Sequence, residues 1–257
     1  MTSMTPCCKC CLGETRGVGT VNWSRLHTEK PDPGAGDLVP YYACGRCGFL
    51  FSTVADGWDI PLLRERIYKP ERYSAAGFDP DAHGSPPESV ATEPYRMGVG
   101  LSHYFSGGQE WMRILDFGSG GNPGPIGQAF RDQGFRVDSY DPFVPDIAIL
   151  PEGAYDLILM IEVIEHCTDL DHLLRTLRSR LNPRGVLWIQ TLLHHDVSAQ
   201  TLESWYVTPR NGHFSIFTLE ALWFLFRRAG INIVQHPFAR SVIGFVEKPS
   251  VSLRLFV

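Results

Sequence analysis

The chain has 257 residues, 44% of them hydrophobic, and a formal net charge of −5. That length suits one domain with a small appendage, and the apolar fraction is ample for a buried core. The mild negative charge, without any long Lys/Arg run, argues against a broad nucleic-acid footprint, and no apolar run approaches a bilayer span, so the pattern reads as a soluble cytoplasmic protein with no membrane role.

Seven cysteines are spread unevenly: Cys7, Cys8, Cys10 and Cys11 cluster, Cys44 and Cys47 follow, and Cys167 stands alone. In a reducing compartment, C-x-x-C pairs indicate metal before disulfide. Cys44-Gly-Arg-Cys47-Gly has the spacing of a zinc knuckle, with two thiolates able to chelate one ion. Its partner is Cys7/Cys10 or Cys8/Cys11. The first register is preferred because Leu12 then falls two places after the second cysteine, as Phe49 does after Cys47. The expectation is a structural four-thiolate Zn²⁺ held by Cys7, Cys10, Cys44 and Cys47. Such an ion would supply folding energy that a segment of this size lacks from apolar burial. Residues 12–43 must then form a loop or hairpin, with PDPGAG (31–36) as its turn. Three segments follow: 1–65 as a zinc-ribbon-like domain, 66–106 as a linker and helix (87–106), and 107–257 as the main domain.

The main domain opens with RILDFGSGGNPGPIGQAFRDQGFRVDSYD (113–141). Ile114–Phe117 reads as a strand, Pro125–Gln133 as a helix stopped by Gly134, and Phe135–Tyr140 as a second strand. A dinucleotide fold needs G-x-G-x-x-G, so that helix-end amides meet a pyrophosphate. Here Pro123 stands where the third glycine belongs, and Asp116 precedes the glycines as D-x-G-x-G. That pattern suits a ligand without phosphate: the zwitterionic head, sulfonium and ribose of S-adenosylmethionine (SAM). Asp116, Gly118, Ser119 and Gly120 are candidates for the amino-acid end, and Asp141 with Pro142 for the ribose hydroxyls.

After Asp141 the next strand, Asp156–Ile161, comes too soon for a full crossover helix. DIAIL (146–150) is read as a remnant strand. The strand 156–161 is an unbroken apolar run, as expected when both faces are buried. Glu162 follows at its C-terminal end, where open α/β sheets place ligands, and is a further cofactor and catalytic candidate. Then come a helix (171–180), a break at Asn182-Pro183-Arg184-Gly185, a strand (186–192), a helix (218–229) capped by Thr218, and two final strands (231–235 and 242–246) paired as an antiparallel edge.

Three groups beyond the strand ends carry chemistry-bearing side chains. The first is Glu162, Glu165 and His166, with His166 as base or metal ligand. The second is His194-His195-Asp196, just after the strand 186–192, with one of the two histidines, His194 by preference, as a substrate contact. The third is the aromatic stretch 205–217, in which Tyr206 and Arg210 would touch the acceptor and His213 would act as acid–base group.

The segment 113–141 resembles motifs I and II of class I SAM-dependent methyltransferases. EGAYDLILMIEVIEH (152–166), DLDHLLRTLRSRLNPRGVLWIQTLL (169–193) and WYVTPRNGHFSIFTLEALWFLFRRAG (205–230) extend the resemblance over roughly residues 95–250. E-V-I-E-H is similar to a segment of ubiquinone-type O-methyltransferases, some of which hold a divalent ion there. YYACGRCGFLFS with RIYKPERYSA resembles an N-terminal zinc-binding domain found on some methyltransferases, where Tyr68 and Tyr73 would stand in the linker. The resemblance implies an α/β Rossmann-like sheet with helices on both faces, shortened after its second strand. It also implies SAM as cofactor and methyl transfer to an O, N or C acceptor on a small or carrier-bound molecule. The competing readings are a zinc-ribbon binding module on a degenerate SAM fold, and a SAM-using enzyme with non-methyl chemistry.

Overall fold

The computed structural model describes residues 5–25, 37–68, 93–195, 199–236 and 241–247. The expected turn PDPGAG and Tyr73 lie outside them. Ten strands are described: β1 (Thr15–Asn22), β2 (Leu38–Cys44), β3 (Leu50–Phe51), β4 (Arg113–Phe117), β5 (Arg136–Tyr140), β6 (Tyr155–Ile161), β7 (Leu181–Gln190), β8 (Ser215–Ile216), β9 (Asn232–Gln235) and β10 (Ser241–Phe245). The α-helices are α1 (Ile60–Arg66), α2 (Glu93–Ser102), α3 (Pro125–Asp132), α4 (Leu170–Arg180) and α5 (Leu219–Arg227).

The larger sheet runs β5-β4-β6-β7-β10-β9. Its first four strands are parallel, while β10 is antiparallel to both β7 and β9. The chain is thus an α/β Rossmann-like sheet, as expected. Apolar side chains on one face (Leu115, Ile158, Leu187) pack with Leu173 and Leu177 of α4 and Leu222 and Phe226 of α5. On the other face Ile114, Leu157 and Trp188 pack with Leu101 of α2 and Phe130 of α3. Each such fully buried side chain contributes about 1.5–3 kcal/mol of transfer free energy. The helices begin where the sequence provides caps: Asp169 accepts from His172 N–H before α4, and Thr218 accepts from Ala221 N–H before α5.

Several boundaries differ from expectation. Of the helix placed at 87–106, residues 87–92 lie outside the described ones; the rest is helical from Glu93 to Ser102 and then tightens into a 3₁₀ turn at His103–Phe105. DIAIL forms no strand; Pro145–Ile147 is a 3₁₀ turn, folded back so that Asp141 N–H donates to Ile147 O (3.2 Å). Pro145 at the start of that turn has no N–H to offer a ladder. Asn182–Gly185 does not precede β7 but is looped out within it: Tyr155 pairs with Leu181, and the next ladder pair is Leu157 with Val186.

The smaller sheet, β1-β2-β3-β8, has an antiparallel β1/β2 hairpin, as the separation of the knuckles requires. Its fourth strand comes from far along the chain: Leu50 pairs with Ile216 and Phe51 with Ser215. The cysteine-bearing segment is therefore sewn into the segment that follows the parallel strands. Among the described residues no helix is long and apolar enough to cross a membrane.

Candidate active site

The C-terminal edge of the larger sheet gathers most of the candidates. Gly118 turns in the left-handed region (φ 76°), and Gly118 and Ser119 both donate N–H to Tyr140 O, tying the glycine turn to β5. Asp116 is 4% exposed and its Oδ2 accepts from Gly127 N–H (3.1 Å) in the first turn of α3. A Cβ on Gly127 would lie 2.8 Å from that oxygen, so the helix approaches the carboxylate only because the residue is glycine. Burial raises the Asp116 pKa to about 7, with the Asp141 charge adding to the rise. Asp141, just past β5, accepts from Gly120 N–H (3.0 Å) and Phe143 N–H (2.8 Å); its pKa is also raised by burial, against those two bonds. Ser119 and Pro142 are half-buried on either side of this lip. Arg64 of α1 donates to the carbonyls of Pro142 and Phe143, and the Tyr68 ring stacks on Phe143 with centroids 3.8 Å apart. These backbone groups and carboxylates fit the zwitterion and ribose of SAM.

Past β6 lies a second set. Glu162 adopts φ 52°, rare for a residue with a Cβ, and its N–H donates to Gln190 O (2.8 Å). Tyr206 OH sits among three side-chain partners, Glu165 Oε1 (2.7 Å), Thr191 Oγ1 (2.9 Å) and Glu162 Oε2 (3.3 Å), and accepts from Leu192 N–H (3.4 Å). Thr191 also donates to Glu165 Oε2 (3.0 Å). Glu165 is fully buried, and desolvation raises its pKa. Glu162 is exposed as a residue, but desolvation of its carboxyl and the neighbouring Glu165 push it up to about 8.

The histidines close this set from the other side. His213 Nδ1 lies 2.7 Å from Tyr206 O; a carbonyl only accepts, so Nδ1 carries the proton and Nε2 is the basic nitrogen. Its ring meets Tyr206 at 4.4 Å and His166 at 4.8 Å between centroids. His166 Nδ1 is buried against the Asn211–Gly212 backbone without a well-formed hydrogen bond, and burial lowers its pKa to about 4. Donor atoms of Glu165, His166 and His213 all lie within 4.8 Å of one another. His194 Nε2 is buried without a hydrogen-bond partner, and its ring stands 6.3 Å from Tyr206. Arg210 is half-buried on the 3₁₀ turn Pro209–Asn211. The structure thus brings Glu162, His166, Tyr206 and His213 together, with His194 beside them. Thr191, absent from the sequence candidates, immediately follows β7 and could have been found by the strand-end rule that singled out Glu162.

The cysteines form a separate cluster. Cys8, Cys11, Cys44 and Cys47 offer sulfurs all within 4.8 Å of one another, with Cys8–Cys47 at 3.6 Å and Cys11–Cys44 at 3.4 Å. A tetrahedral ion with Zn–S bonds of about 2.3 Å has S–S edges of about 3.8 Å, so this donor set fits Zn²⁺. The expected register, Cys7 with Cys10, is corrected: Cys7 is exposed, Cys10 is fully buried, and neither belongs to the group of four. Backbone geometry decides it. Cys8 N–H donates to Gly13 O and Leu12 N–H to Cys8 O; likewise Cys44 N–H donates to Phe49 O and Gly48 N–H to Cys44 O. Leu12 is therefore the counterpart of Gly48, not of Phe49. The ion would be structural, held by four thiolates with no open position.

Residues 55–236 match a family described as a methyltransferase domain. Over 103 residues the chain is 30% identical to a ubiquinone biosynthesis O-methyltransferase of Azorhizobium caulinodans, a match covering 32% of this chain and 40% of that relative. The chain thus spans about two fifths of the curated relative's length. Among solved structures it is similar to a Burkholderia thailandensis 1,6-didemethyltoxoflavin-N1-methyltransferase (17% identity, 76% of this chain and 93% of that chain, TM-score 0.42). It is also similar to a TehB-like SAM-dependent methyltransferase of Corynebacterium glutamicum (15% identity, 69% and 98%, TM-score 0.44). With a family match running from the second knuckle's flank to β9, the chain belongs to the methyltransferase-domain family.

Proposed function

We propose that the enzyme methylates a hydroxyl of a small organic acceptor seated between the glycine turn after β4 and the segment 205–214. The observation that carries this reading is the contact of His213 with the Tyr206–Glu165–Thr191–Glu162 network at the sheet's C-terminal edge. The partial relative, an O-methyltransferase by name, supports oxygen as the acceptor atom.

SAM supplies an activated methyl, so the protein's part is alignment and proton removal. In this reading Asp141 receives the ribose hydroxyls, and Asp116 holds the turn from beneath and adds negative charge near the ammonium. Glu162 lines the cleft between cofactor and acceptor. His213, held in the Nδ1–H form by Tyr206 O, takes the acceptor proton on Nε2, while Tyr206 and Arg210 wall the acceptor and His194 touches its far side. Residues 1–65 form the zinc-stapled module, with Cys8, Cys11, Cys44 and Cys47 as ligands.

A second reading concerns a divalent ion at Glu165, His166 and His213. Their mutual approach and the unsatisfied, neutral His166 imidazole favour it. Such an ion would lower the pKa of an acceptor hydroxyl.

The test is S-adenosylhomocysteine release from SAM with a panel of phenols, catechols and amines, with and without Mg²⁺. Phenol- or catechol-dependent release is expected, falling about 100-fold or more in His213→Gln. Amine-only turnover, or methylthioadenosine as product, would overturn it. Loss of activity on dialysis against a chelator, restored by Mg²⁺ with zinc content unchanged, would establish the second reading.

A further inference from the structure

The segment 199–217, which carries Tyr206, Arg210 and His213, is bound at both ends by the cysteine-bearing hairpin. At one end, Arg25 is 7% exposed, and its guanidinium donates to the carbonyls of Leu202, Glu203 (2.6 Å) and Ser204 (3.1 Å). Leu202 and Glu203 close the 3₁₀ turn Ala199–Glu203 and Ser204 follows it, at the end where carbonyls run out of partners within the turn. A buried guanidinium with three carbonyl acceptors is a planar, multi-point clamp that an ammonium cannot reproduce. At the other end, the fully buried Tyr41 donates its OH to His213 O (2.9 Å), and Ser52 N–H donates to Phe214 O (2.9 Å). The β3–β8 ladder begins one residue later, at Ser215. Between the two ends, Leu202, Tyr206 and Val207 share one buried cluster with Val21, Val39 and Tyr41 of the hairpin. The larger sheet holds the segment mainly through Phe214 N–H to Glu165 O, the Leu193–Phe217 bridge and the Tyr206 hydroxyl.

We propose that Arg25 and Tyr41 are positioning residues for methyl transfer: the thiol-stapled hairpin sets where Tyr206 and His213 stand over the acceptor. The proposal rests on the reading of 205–214 as the acceptor wall. A base displaced by 1 Å loses its in-line geometry, whereas the cofactor site, built on β4 and β5, makes no contact with either residue through these bonds.

The test uses the full chain with Tyr41→Phe, Arg25→Met and Arg25→Lys. It reads three quantities: amide exchange across 202–216, calorimetric affinity for S-adenosylhomocysteine, and kcat on the panel phenol or catechol turned over fastest. Tyr41→Phe removes one hydrogen bond and is expected to speed exchange in 202–216 about fivefold. Cofactor affinity should stay within twofold, and kcat should fall while the KM for SAM stays constant. Arg25→Met should show a larger effect and Arg25→Lys an intermediate one. Unchanged exchange in 202–216 overturns the proposal, as does faster exchange across the whole chain with lost cofactor affinity, which marks a merely structural role. Local loosening at unchanged kcat also overturns it. His213→Gln separates the two readings. If His213→Gln is impaired and the clamp variants are not, the clamp fails alone. If His213→Gln turns over normally, the acceptor-wall reading fails, and the clamp with it.

Discussion

Leu12 and Gly48 occupy the same backbone position in two matched cysteine knuckles, with φ of 60° and 67°. Each follows the second cysteine of its pair and donates its N–H to the carbonyl of the first. A left-handed conformation costs a residue with a Cβ about 1–2 kcal/mol, and Leu12 recovers little, since its side chain is 65% exposed. Leu12→Gly should therefore stabilise the protein by about 0.5–1 kcal/mol after the extra unfolded-state entropy of glycine is counted. Leu12→Val should destabilise it. Calorimetric midpoints of the two variants check the direction, and a lower midpoint for Leu12→Gly would refute the matching of the knuckles.

Zinc content tests the register. Cys8→Ser and Cys11→Ser should each lose the metal, while Cys7→Ser and Cys10→Ser should keep about one equivalent on the four-thiolate site. Elemental analysis of the purified variants reads this directly. Retention of zinc by Cys8→Ser would restore the Cys7/Cys10 pairing.

Cofactor affinity should depend on pH. Asp116 has its folded-state pKa raised to about 7, so in the absence of ligand it binds more protons folded than unfolded between its ordinary carboxylate value and 7. Apo stability from this group is thus full at low pH and declines as pH rises through 7. A cationic ammonium nearby favours the ionised form, so SAM affinity should rise from pH 6 to pH 8. Asp116→Asn should flatten that rise and weaken binding by about 1–3 kcal/mol, as should the loss of Asp141 in Asp141→Ala. Glu162→Gln is the control, because its carboxyl titrates near 8 in the same window. Calorimetric titration at several pH values is the measurement.

Tyr206→Phe removes a hydroxyl shared by Glu165, Thr191 and Glu162. Glu165 keeps Thr191 and the neighbouring Glu162 as side-chain partners but loses its closest one, so stability should fall by about 1–3 kcal/mol. Turnover should fall as well, with SAM affinity retained. Denaturant unfolding alongside kinetics reads both; a variant as stable as the parent would mean that water replaces the hydroxyl.

His166 shifts in the opposite sense to Asp116. Its pKa is lowered to about 4 by burial, so between 4 and its unfolded value the unfolded chain binds more protons. Its contribution is complete above about 6.5 and lost as pH falls toward 4. His166→Gln should flatten the acid limb of the stability curve over that window, measured by urea unfolding at graded pH.

Much of this molecule was legible in local pattern. The parallel strands β4 and β6 are apolar runs, α4 and α5 carry their caps in sequence, and the D-x-G-x-G turn names its own ligand class. The same logic explains the misplacements. DIAIL has the composition of a strand, but its first residues close a 3₁₀ turn in which Ile147 O accepts from Asp141 N–H. Leu12 in a glycine's place hid the match between the two knuckles, because propensity gives no reason to expect a leucine in the left-handed region.

From its residues alone the chain determined an α/β sheet, a glycine turn flanked by carboxylates and a thiol pair poised for metal, since each depends on neighbours a few positions apart. Tertiary structure decided which thiols meet, and that Arg25 and Tyr41 brace the segment bearing His213. It also drew Glu162, Glu165, Thr191 and Tyr206 onto one hydroxyl. Such contacts join residues that local periodicity cannot relate, and they form only when β8 pairs with β3 and the two sheets share a buried core.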